Sequence, residues 1–444
     1  MHPRSPYASY LDFKKLAKDC PAFAPFVDSN ANVNFKDPAA VRYSLLYLVI
    51  SILTEAGDNR ELAKSLLLRD FGFAVDLPED RLCPMIPNRL DYILWLQDLI
   101  DSTSSDLNSE LDTSGEVTGL DVGTGASCIY PLLGCSLRPS WRFIASDIDE
   151  ASLHSARNNI ARNKVLLNGR IKLYESSVTG PLFPLEALDT ESIDFTMCNP
   201  PFYSSADSLA ESAAQKMLPP SSACTGTSTE MVYSPHGELG FARRMLAESL
   251  VLRTRVKWYS TLFGKLSSVS QFISSLREIH ELEVSGNWAV AEMVQGTTKR
   301  WAVAWSFGDR RPSAAVAGSM KGCSPLTRPE LEFTVPRSVG GVGEEVVVLL
   351  SGLELMHSKR DELGKEFYVE VKGNVWSRAA RRAMARGAMA LMLVDEDVKL
   401  GVLITLAEAG EDKTAINVRW KRGREGVLFE SFCGMVKRKL QLEK

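Results

Sequence analysis

Residues 119–127 have the sequence GLDVGTGAS, which is the strongest local indication of the fold. Its apolar start has the composition of a buried strand, and the glycine-rich turn after it opens a helix. Gly123 and Gly125 let the backbone turn sharply and approach a ligand closely, because glycine has no Cβ. The third position of the usual triple-glycine pattern is Ser127, which is still small. The order strand, turn and helix predicts a ligand-binding turn at the edge of an α/β sheet.

Strands and helices alternate on the C-terminal side of this turn. We predict strands at WRFIASDID (141–149), RIKLYES (170–176) and IDFTMC (193–198), and a helix at EASLHSARNNIARN (150–163). A long loop is predicted at 203–236, followed by further helices and strands. This alternation is typical of a parallel sheet with helical crossovers. We place the α/β domain at residues 111–307.

Composition narrows the class of protein. The chain has 444 residues with 51 Lys and Arg, 55 Asp and Glu, a net charge of −4 and 45% hydrophobic residues. These values are those of a globular protein and exclude disorder along the whole chain. The sequence pI of 5.9 gives no overall nucleic-acid signature, so any basic surface has to be local. The longest apolar stretch, residues 45–53, is shorter than the ~20 residues of a membrane-spanning helix.

Cysteine and histidine are scattered along the chain. The eight cysteines include no Cys-x-x-Cys pair, and the five histidines are equally dispersed. Zinc sites and disulfide frameworks both need characteristic Cys or His spacings. We therefore expect a reducing compartment, no metal and no disulfide framework.

An acidic residue follows the second strand of the predicted sheet. Asp147 lies 22 residues beyond Gly125, at the end of the strand WRFIASDID. A carboxylate at this position can accept hydrogen bonds from both hydroxyls of a ribose. The pattern fits a nucleoside without phosphates as well as a dinucleotide, and a strand–turn–helix with no ligand is the third alternative.

The catalytic candidate is the sequence Asn199-Pro200-Pro201-Phe202, directly after the strand 193–198. Ligands of open α/β sheets bind at the carboxyl ends of strands. The two prolines fix the backbone and remove two N–H groups. The Pro200 carbonyl and the Asn199 amide oxygen then become rigid acceptors for both hydrogens of a planar –NH₂ group. Phe202 offers a ring on which a flipped base can stack.

This pattern predicts methyl transfer from S-adenosylmethionine to an exocyclic amine or an amide nitrogen. A sulfonium methyl is already activated, so catalysis can consist mainly of in-line positioning and desolvation. Neither a metal nor a covalent nucleophile is required. The competing interpretation is a Pro-Pro strand terminator with a chance asparagine, but the motif follows the glycine turn and the acidic strand end in the expected order.

The wider sequence resembles the methyltransferase-like protein 16 family of adenine-N6 RNA methyltransferases, whose bacterial relatives modify an adenine of large-subunit ribosomal RNA. The blocks that carry the resemblance are NFKDP (34–38), LLRDFG (67–72), PNRLDYI (87–93), DVGTGASCIYPLLG (121–134), CNPPF (198–202), VKWYSTLFGK (256–265) and QGTTKRWAVAWSF (295–307). The resemblance covers residues 34–307, and these blocks together are far more specific than Asn-Pro-Pro-Phe alone.

The resemblance implies a Rossmann-like class I S-adenosylmethionine-dependent methyltransferase with an N-terminal helical, RNA-binding module, which we place at residues 1–110. In eukaryotes it implies U6 small nuclear RNA as the main substrate and messenger RNA hairpins as further substrates. A nuclear location follows, with the cytoplasm as a second location. No membrane and no obligate protein partner are implied.

Matching positions also imply the roles of individual residues. The residues implied to contact the cofactor are Arg89, Asp121, Gly123, Gly125, Ser127 and Asp147. The residues implied to form the adenine site are Asn199, Pro200, Pro201 and Phe202. Lys36 is implied to contact RNA. Arg89 has a chemical rationale of its own, because a fixed cation can pair with the carboxylate of the methionine moiety. A solvated arginine at a helix start is the alternative.

Two features depart from the family pattern. Residues 44–63 are extra relative to the family and are either a lineage-specific helix extension or a gene-model error. The regulatory lysine of the family has no counterpart in ESSVTG (175–180), so we do not carry autoinhibition over to this chain.

The C-terminal part is predicted to be a separate, small α+β domain at residues 329–444, after a linker at 308–328. We predict strands at 345–351, 366–371, 388–394, 400–406 and 414–420 and helices near 375–386 and 427–441. Residues 365–444 carry 16 Lys and Arg against 11 Asp and Glu, a balance of +5, whereas the remainder of the chain has −9. This domain is the local basic region of an otherwise acidic protein.

Arginines recur at helical spacing in this domain. Arg378, Arg381, Arg382 and Arg386 share one helix face, and a second cluster is Arg419, Lys421, Arg422 and Arg424. Basic faces neutralise phosphates, and Trp376 or Trp420 offers a ring for base stacking. We predict RNA binding here; a solvated helix face is the alternative.

Taken together, the sequence predicts an RNA methyltransferase that forms N6-methyladenosine with S-adenosylmethionine. Two alternatives remain open. A protein glutamine methyltransferase can use a similar Asn-Pro-Pro motif, and an RNA-binding splicing factor could have a role that is independent of turnover.

Overall fold

A computed structural model describes residues 1–8, 18, 56–104, 115–208, 227–295, 298–325, 327–385 and 397–442. Lys36, Arg386, most of the extra segment 44–63 and the predicted strand 388–394 lie outside the described residues. Contacts divide the chain into two compact units. The first consists of residues 1–98, 113–275 and 290–305, and the second of residues 99–112, 276–289 and 306–444.

A seven-stranded sheet forms the centre of the first unit. Its strands are β1 (Val117–Val122), β2 (Trp141–Asp147), β3 (Ile171–Glu175), β4 (Ile193–Cys198), β5 (Val256–Phe263), β6 (Trp288–Gln295) and β7 (Thr298–Trp305). The spatial order is β3-β2-β1-β4-β5-β7-β6. Strands β1 to β5 pair in parallel, and β7 runs antiparallel to β5. The predicted α/β class with a largely parallel sheet is confirmed.

The register of this sheet brings three strand ends to one edge. Val122, the last residue of β1, pairs with Ser146 of β2 and with Cys198 of β4. Gly123, Asp147 and Asn199 follow at the same edge. The sheet therefore brings the predicted glycine turn, acid and amide together before any side-chain packing is considered.

Helices connect and flank these strands. They are α1 (Ala56–Phe71), α2 (Ile86–Thr103), α3 (Ile129–Leu137), α4 (Glu150–Arg162), α5 (Lys164–Leu167), α6 (Ser228–Met231), α7 (Gly237–Leu252) and α8 (Leu266–Arg277). The next helix in the chain, α9 (His280–Ser285), belongs to the second unit. Helix α2 buries the apolar face that the sequence predicted, with Leu90 and Ile93 fully inaccessible. The N-cap of α4 is Asp149, whose carboxylate accepts a hydrogen bond from the Ser152 N–H at 2.9 Å.

The second unit contains an antiparallel five-stranded sheet. Its elements are α10 (Ala314–Ala317), β8 (Glu330–Val335), α11 (Val339–Ser351), β9 (His357–Arg360), β10 (Glu366–Val371), α12 (Arg378–Ala385), β11 (Leu400–Glu408), β12 (Thr414–Gly423) and α13 (Gly426–Leu442). The strand order is β8-β12-β11-β10-β9. One face of the sheet shares a hydrophobic core with α11 and α13, in which Val346, Val402 and Phe432 are fully buried. Strands β8 and β9 were not predicted.

The predicted strand at 345–351 is wrong, because these residues belong to helix α11. The run of valines and leucines has strand-like composition, but its buried members are Val342, Val346 and Leu350. A spacing of four places them on one helix face. Ser338 caps the helix by accepting a hydrogen bond from the Gly341 N–H.

The segment predicted as a linker makes specific contacts within the second unit. Arg310 forms an isolated antiparallel bridge with Arg422. Arg311 is only 3% exposed, and its guanidinium carbon lies 3.9 Å from the centre of the Trp420 ring system. Burial, the largest influence, lowers the pKa of Arg311 to about 9.

The expectation that Trp376 or Trp420 stacks on RNA bases is wrong. Both rings are buried in the core of the second unit. The Trp376 Nε1–H donates to Ser431 Oγ at 3.1 Å, and Trp420 stacks on Phe429 with ring centroids 5.4 Å apart. Neither ring has a free face to offer to a base.

Among the residues that the structure describes, no helix is both long and apolar enough to cross a membrane.

Candidate cofactor and substrate site

The three converging strand ends open into a cavity of about 400 Å³ in the first unit. This volume lies within the range of pockets that bind small molecules and cofactors. The predicted residues that line it are Arg89, Gly123, Gly125, Ser127, Asp147, Asn199 and Pro201. Asp121, Pro200 and Phe202 are chain neighbours of these residues but do not line the cavity itself.

The glycine turn has the geometry that only glycine adopts easily. Gly123 and Gly125 have φ angles of +75° and +66°, and a Cβ on either would meet no other atom within 4 Å. A side chain would therefore be strained and would fill the open cavity. The Gly125 N–H donates to Asp147 Oδ2 at 2.8 Å, which ties the turn to the end of β2.

Asp147 combines this structural bond with spare acceptor capacity. Its Oδ1 accepts a hydrogen bond from the Asp149 N–H at 3.0 Å. Each carboxylate oxygen can accept a second hydrogen bond, so both remain able to bind hydroxyl groups of a ligand. Burial, the largest influence, raises the pKa of Asp147.

Asp121 lies fully buried beneath the turn. Among the described residues, neither of its carboxylate oxygens has a hydrogen-bond partner of ordinary geometry, and the same is true of the Thr124 hydroxyl. Burial raises the pKa of Asp121 to about 7. The side chain of Thr124 is the strongest influence that opposes this rise in the pKa.

Arg89 is fixed in the cavity wall. Its Nη1 donates to the Tyr130 hydroxyl at 3.0 Å, and its guanidinium carbon lies 5.4 Å from the centre of the Tyr130 ring. Burial raises the pKa of Tyr130 to about 12, so this hydroxyl stays protonated and acts as the acceptor of the Arg89 bond. The remaining guanidinium donors are available for an anionic group.

Asn199 presents a further unpaired group at the site. Its side-chain oxygen is buried and has no hydrogen-bond partner in the described parts of the chain. The residue directly follows β4, whose last member Cys198 is buried and lines the same cavity. An acceptor held in this way is ready for an external donor, such as an –NH₂ group.

Phe202 is seated by two close glycine contacts. A Cβ on Gly237 would lie 2.7 Å from the Phe202 carbonyl oxygen, and one on Gly264 would lie 3.1 Å from the Phe202 ring. Buried Glu238 holds the turn after β5 by accepting hydrogen bonds from the N–H groups of Gly264, at 2.6 Å, and Lys265, at 3.2 Å. The ring is thus fixed at the edge of the sheet.

The residues after Phe202 return to the cavity wall. Tyr203 forms a parallel bridge with Val232, with the Tyr203 N–H donating to the Met231 carbonyl and the Tyr233 N–H donating to the Tyr203 carbonyl, both at 2.9 Å. Val232 and Tyr233 line the cavity. The predicted long loop at 203–236 therefore has ordered ends, and α6 lies within it; residues 209–226 lie outside the described part.

No group of three or more His, Cys, Asp or Glu suited to a metal ion occurs within the described ranges. The polar groups at the cavity instead include backbone amides, the carboxylates of Asp147 and Glu230, the amide of Asn199, and the guanidinium groups of Arg89 and Arg244. This set suits a zwitterionic nucleoside such as S-adenosylmethionine, with Arg89 for its carboxylate and Asp147 for its ribose. The residues present thus fit the predicted methyl donor.

Comparisons with known proteins agree with this geometry. A family model described as RNA methyltransferase matches residues 1–309. The U6 small nuclear RNA (adenine-(43)-N(6))-methyltransferase of Schizosaccharomyces pombe is 34% identical over 389 residues, which cover 86% of this chain and 93% of the yeast protein. This chain belongs to the METTL16 family of RNA methyltransferases.

Solved structures of METTL16 support the same assignment. The catalytic domain of human METTL16 in complex with MAT2A 3′UTR hairpin 1 matches with a TM-score of 0.53 and 34% identity, over 69% of this chain and 95% of that one. The N-terminal domain of human METTL16 in complex with S-adenosylhomocysteine (SAH) matches with a TM-score of 0.50 and 33% identity, over 70% and 99%. The predicted family and its S-adenosylmethionine-dependent methyltransferase fold are confirmed.

Several residues of this METTL16 relative's site were not predicted. Tyr130 and Glu238 fix Arg89 and the Phe202 surroundings, and Arg300 places its guanidinium carbon 5.1 Å from the centre of the Phe202 ring. Burial, and then the charge of Arg89, lowers the pKa of Arg300. Tyr130 and Arg300 lie within the blocks DVGTGASCIYPLLG and QGTTKRWAVAWSF. The resemblance to the family could therefore have indicated these two residues, whereas their spacing in the sequence could not.

Proposed function

We propose that this chain transfers a methyl group from S-adenosylmethionine to N6 of an adenine in RNA, and that U6 small nuclear RNA is its main substrate. The observation that carries this proposal is the buried, unpartnered oxygen of Asn199 beside the cavity. The name of the fission-yeast relative supports the choice of substrate. A nuclear location follows from that substrate.

The cofactor side of the site is assigned to residues at the ends of β1 and β2. Asp147 accepts hydrogen bonds from the ribose, Arg89 pairs with the methionine carboxylate, and Gly123, Gly125 and Ser127 leave room for the nucleoside. Asp121 lies beneath the glycine turn and forms part of the polar surroundings of that turn. S-adenosylmethionine supplies a methyl group that is already activated, so no metal is needed.

The adenine side is assigned to the residues after β4. The Asn199 side-chain oxygen and the Pro200 carbonyl accept the two hydrogens of the adenine amine, which directs the nitrogen lone pair away from them. Pro201 fixes the backbone that presents these acceptors. Phe202 stacks on the flipped base, as aromatic side chains do at single-stranded nucleotides.

RNA is held by surfaces outside the cavity. We assign this role to the N-terminal module at residues 1–110, including Lys36, and to the basic domain at 329–444. In that domain Arg378 and Arg382 are exposed on α12, which also carries Arg381, and Arg386 is assigned the same role from the sequence. Exposed arginines neutralise phosphates without reading the sequence.

A methyl-transfer assay on a synthetic U6 hairpin tests the proposal. The matched substrate has the target adenine replaced by guanine, and a protein fraction serves as a second control. We expect transfer only to the adenine-containing hairpin. Transfer to protein would favour the glutamine methyltransferase alternative, and tight binding of both hairpins without transfer would favour a binding protein.

A further inference from the structure

One wall of the cavity is formed by a segment that no sequence motif predicted. Residues 73–84, here called the strap, join α1 to α2 without regular secondary structure. Leu82 and Pro84 of the strap line the cavity together with Gly123 and Gly125 of the glycine turn. The width of the cavity therefore depends on what holds the strap and the turn to each other.

Two buried asparagines of α4 and its C-cap hold the first part of the strap. Asn159 is fully buried: its Oδ1 accepts from the Asp76 N–H at 2.7 Å, and its Nδ2 donates to the Asp76 carbonyl at 3.0 Å and to the Ala126 carbonyl at 3.2 Å. Asn163 exchanges a similar pair of bonds with the backbone of Ala74, at 3.0 and 2.8 Å. Only Asn159 also reaches the glycine turn, through Ala126.

Two arginines fasten the second part of the strap. Arg60 of α1 is 5% exposed and donates from Nε to the Pro78 carbonyl at 3.1 Å. Arg81 of the strap pairs with Asp149 at 3.1 Å, the same residue that caps α4. The strap is thus attached along its length to α1 and α4, and Leu82 follows the last of these attachments.

We propose that Asn159 is a positioning residue for the methyl donor. Its single amide group bonds the strap and the glycine turn at once, so it sets the separation of the two cavity walls without contacting the cofactor. Asn163 bonds the strap in the same way but not the turn. The inference rests on the proposed cofactor pocket, and it predicts that the two asparagines differ in their effect on cofactor binding.

The test compares Asn159→Leu with Asn163→Leu in the full-length chain. SAH binding is measured by calorimetry and RNA binding by filter retention. We expect Asn159→Leu to raise the Kd for SAH about tenfold, the factor that one buried hydrogen bond is worth. Asn163→Leu should raise it by less than about threefold, and both variants should keep the RNA Kd within about twofold. Equal effects of the two variants on the SAH Kd would overturn the proposal.

Gly125→Val separates this inference from the proposed pocket. A valine side chain at a φ of +66° would project into the cavity and should weaken SAH binding more than either asparagine variant. If Gly125→Val binds SAH normally, the pocket itself is wrong. If it loses binding while Asn159→Leu does not, only the role of Asn159 fails.

Hydrogen exchange of the unmodified protein provides a measurement that needs no variant. Peptides covering residues 73–81, none of which lines the cavity, and residues 123–128 should gain protection together when SAH is added, because the Asn159 side chain joins both segments. Protection of the glycine turn alone would overturn the proposal. This measurement decides the question even if Asn159→Leu does not fold.

Discussion

The unpaired acceptor buried beside the cavity of the first unit differs from two buried cations of the second unit. In the first unit, the side-chain oxygen of Asn199, a residue that lines the cavity, is buried without a partner among the described residues. In the second unit, buried Arg419 and Lys421 donate to the Ser102 carbonyl, at 2.9 and 3.2 Å. Unpaired groups next to a cavity await a ligand, whereas paired cations stabilise the fold.

This difference changes the interpretation of the basic C-terminal region. Arg422 bonds Asp309 at 2.6 Å, and Arg424 pairs with Glu281 at 3.2 Å. Of the four cations of this predicted RNA-binding cluster, Arg419 and Lys421 are therefore buried in the protein, whereas Arg424 remains exposed. Positive charge counted along a sequence is available to RNA only where the fold leaves it exposed, as it does for Arg378 and Arg382.

We expect the greatest loss of activity when the unpaired acceptor of the adenine site is removed. Asn199→Ala should lower kcat about 10³-fold, because a preorganised group at the reacting centre is worth about that factor. The RNA Kd should change by less than about twofold, since the surfaces that hold RNA are intact. Single-turnover methyl transfer and filter binding measure the two quantities.

Asn287→Ala is the matched control for this variant. Asn287 is also buried with an unpartnered oxygen, but it does not line the cavity, and its Nδ2 donates to the Gly308 carbonyl at 3.0 Å. This variant should lower the free energy of unfolding and leave kcat within about twofold. A fully active Asn199→Ala enzyme would contradict the assignment of the adenine site.

The second prediction concerns pH. The pKa of Asp121 is about 7 in the folded chain and about 3.9 when unfolded. The folded state therefore binds the extra proton, and its stabilising contribution is complete below about pH 4 and lost as the pH rises through 7. Between pH 5 and 7 the free energy of unfolding should fall by on the order of 2–3 kcal/mol from this group alone.

Asp121→Asn should remove this part of the pH dependence. Chemical denaturation of both proteins from pH 4 to 8 measures it, and Glu116→Gln, at an exposed carboxylate, serves as the control. The groups that act on Asp121 are Thr124, Asp147 and Arg89. Identical pH profiles of wild type and Asp121→Asn would show that the buried carboxyl is paired in solution.

The catalytic edge of the first unit could be predicted because local signals and topology agree there. Strand β4 spans the predicted residues 193–198, and its end carries the Asn-Pro-Pro-Phe motif. The apolar strands and the glycine turn fix the order of the sheet, and the sheet then fixes which residues meet. Family blocks added Arg89, which is distant in sequence from the strand ends.

Other features could not be predicted, for identifiable reasons. Strand β6 was not predicted, because its buried and exposed positions do not alternate regularly along the strand. The strap has no period, and its fastening by Asn159 depends on a polar residue that looks like an ordinary solvated position of α4. The partners of the β12 cations depend on tertiary contacts with residues such as Ser102, which no local pattern encodes.

The last two predictions, with the smallest expected effects, concern the buried and exposed cations of the second unit. Lys421→Met keeps the shape of a buried side chain but removes one donor to the end of α2, where cations favour the helix dipole. We expect the free energy of unfolding to fall by about 1–3 kcal/mol, measured by urea denaturation. The RNA Kd and its salt dependence should not change, because the ammonium group is buried.

Arg382→Ala should behave in the opposite way. This side chain is exposed on α12, so its removal should change the free energy of unfolding by less than about 0.5 kcal/mol. The slope of log K for RNA against log salt should become shallower by about 0.7–0.9, the value of one lost phosphate contact. If Lys421→Met instead weakened RNA binding at unchanged stability, the buried cluster would be part of the RNA surface. A cation that is already paired with a carbonyl of the protein would then also bind RNA, and the distinction between paired cations and groups that await a ligand would fail.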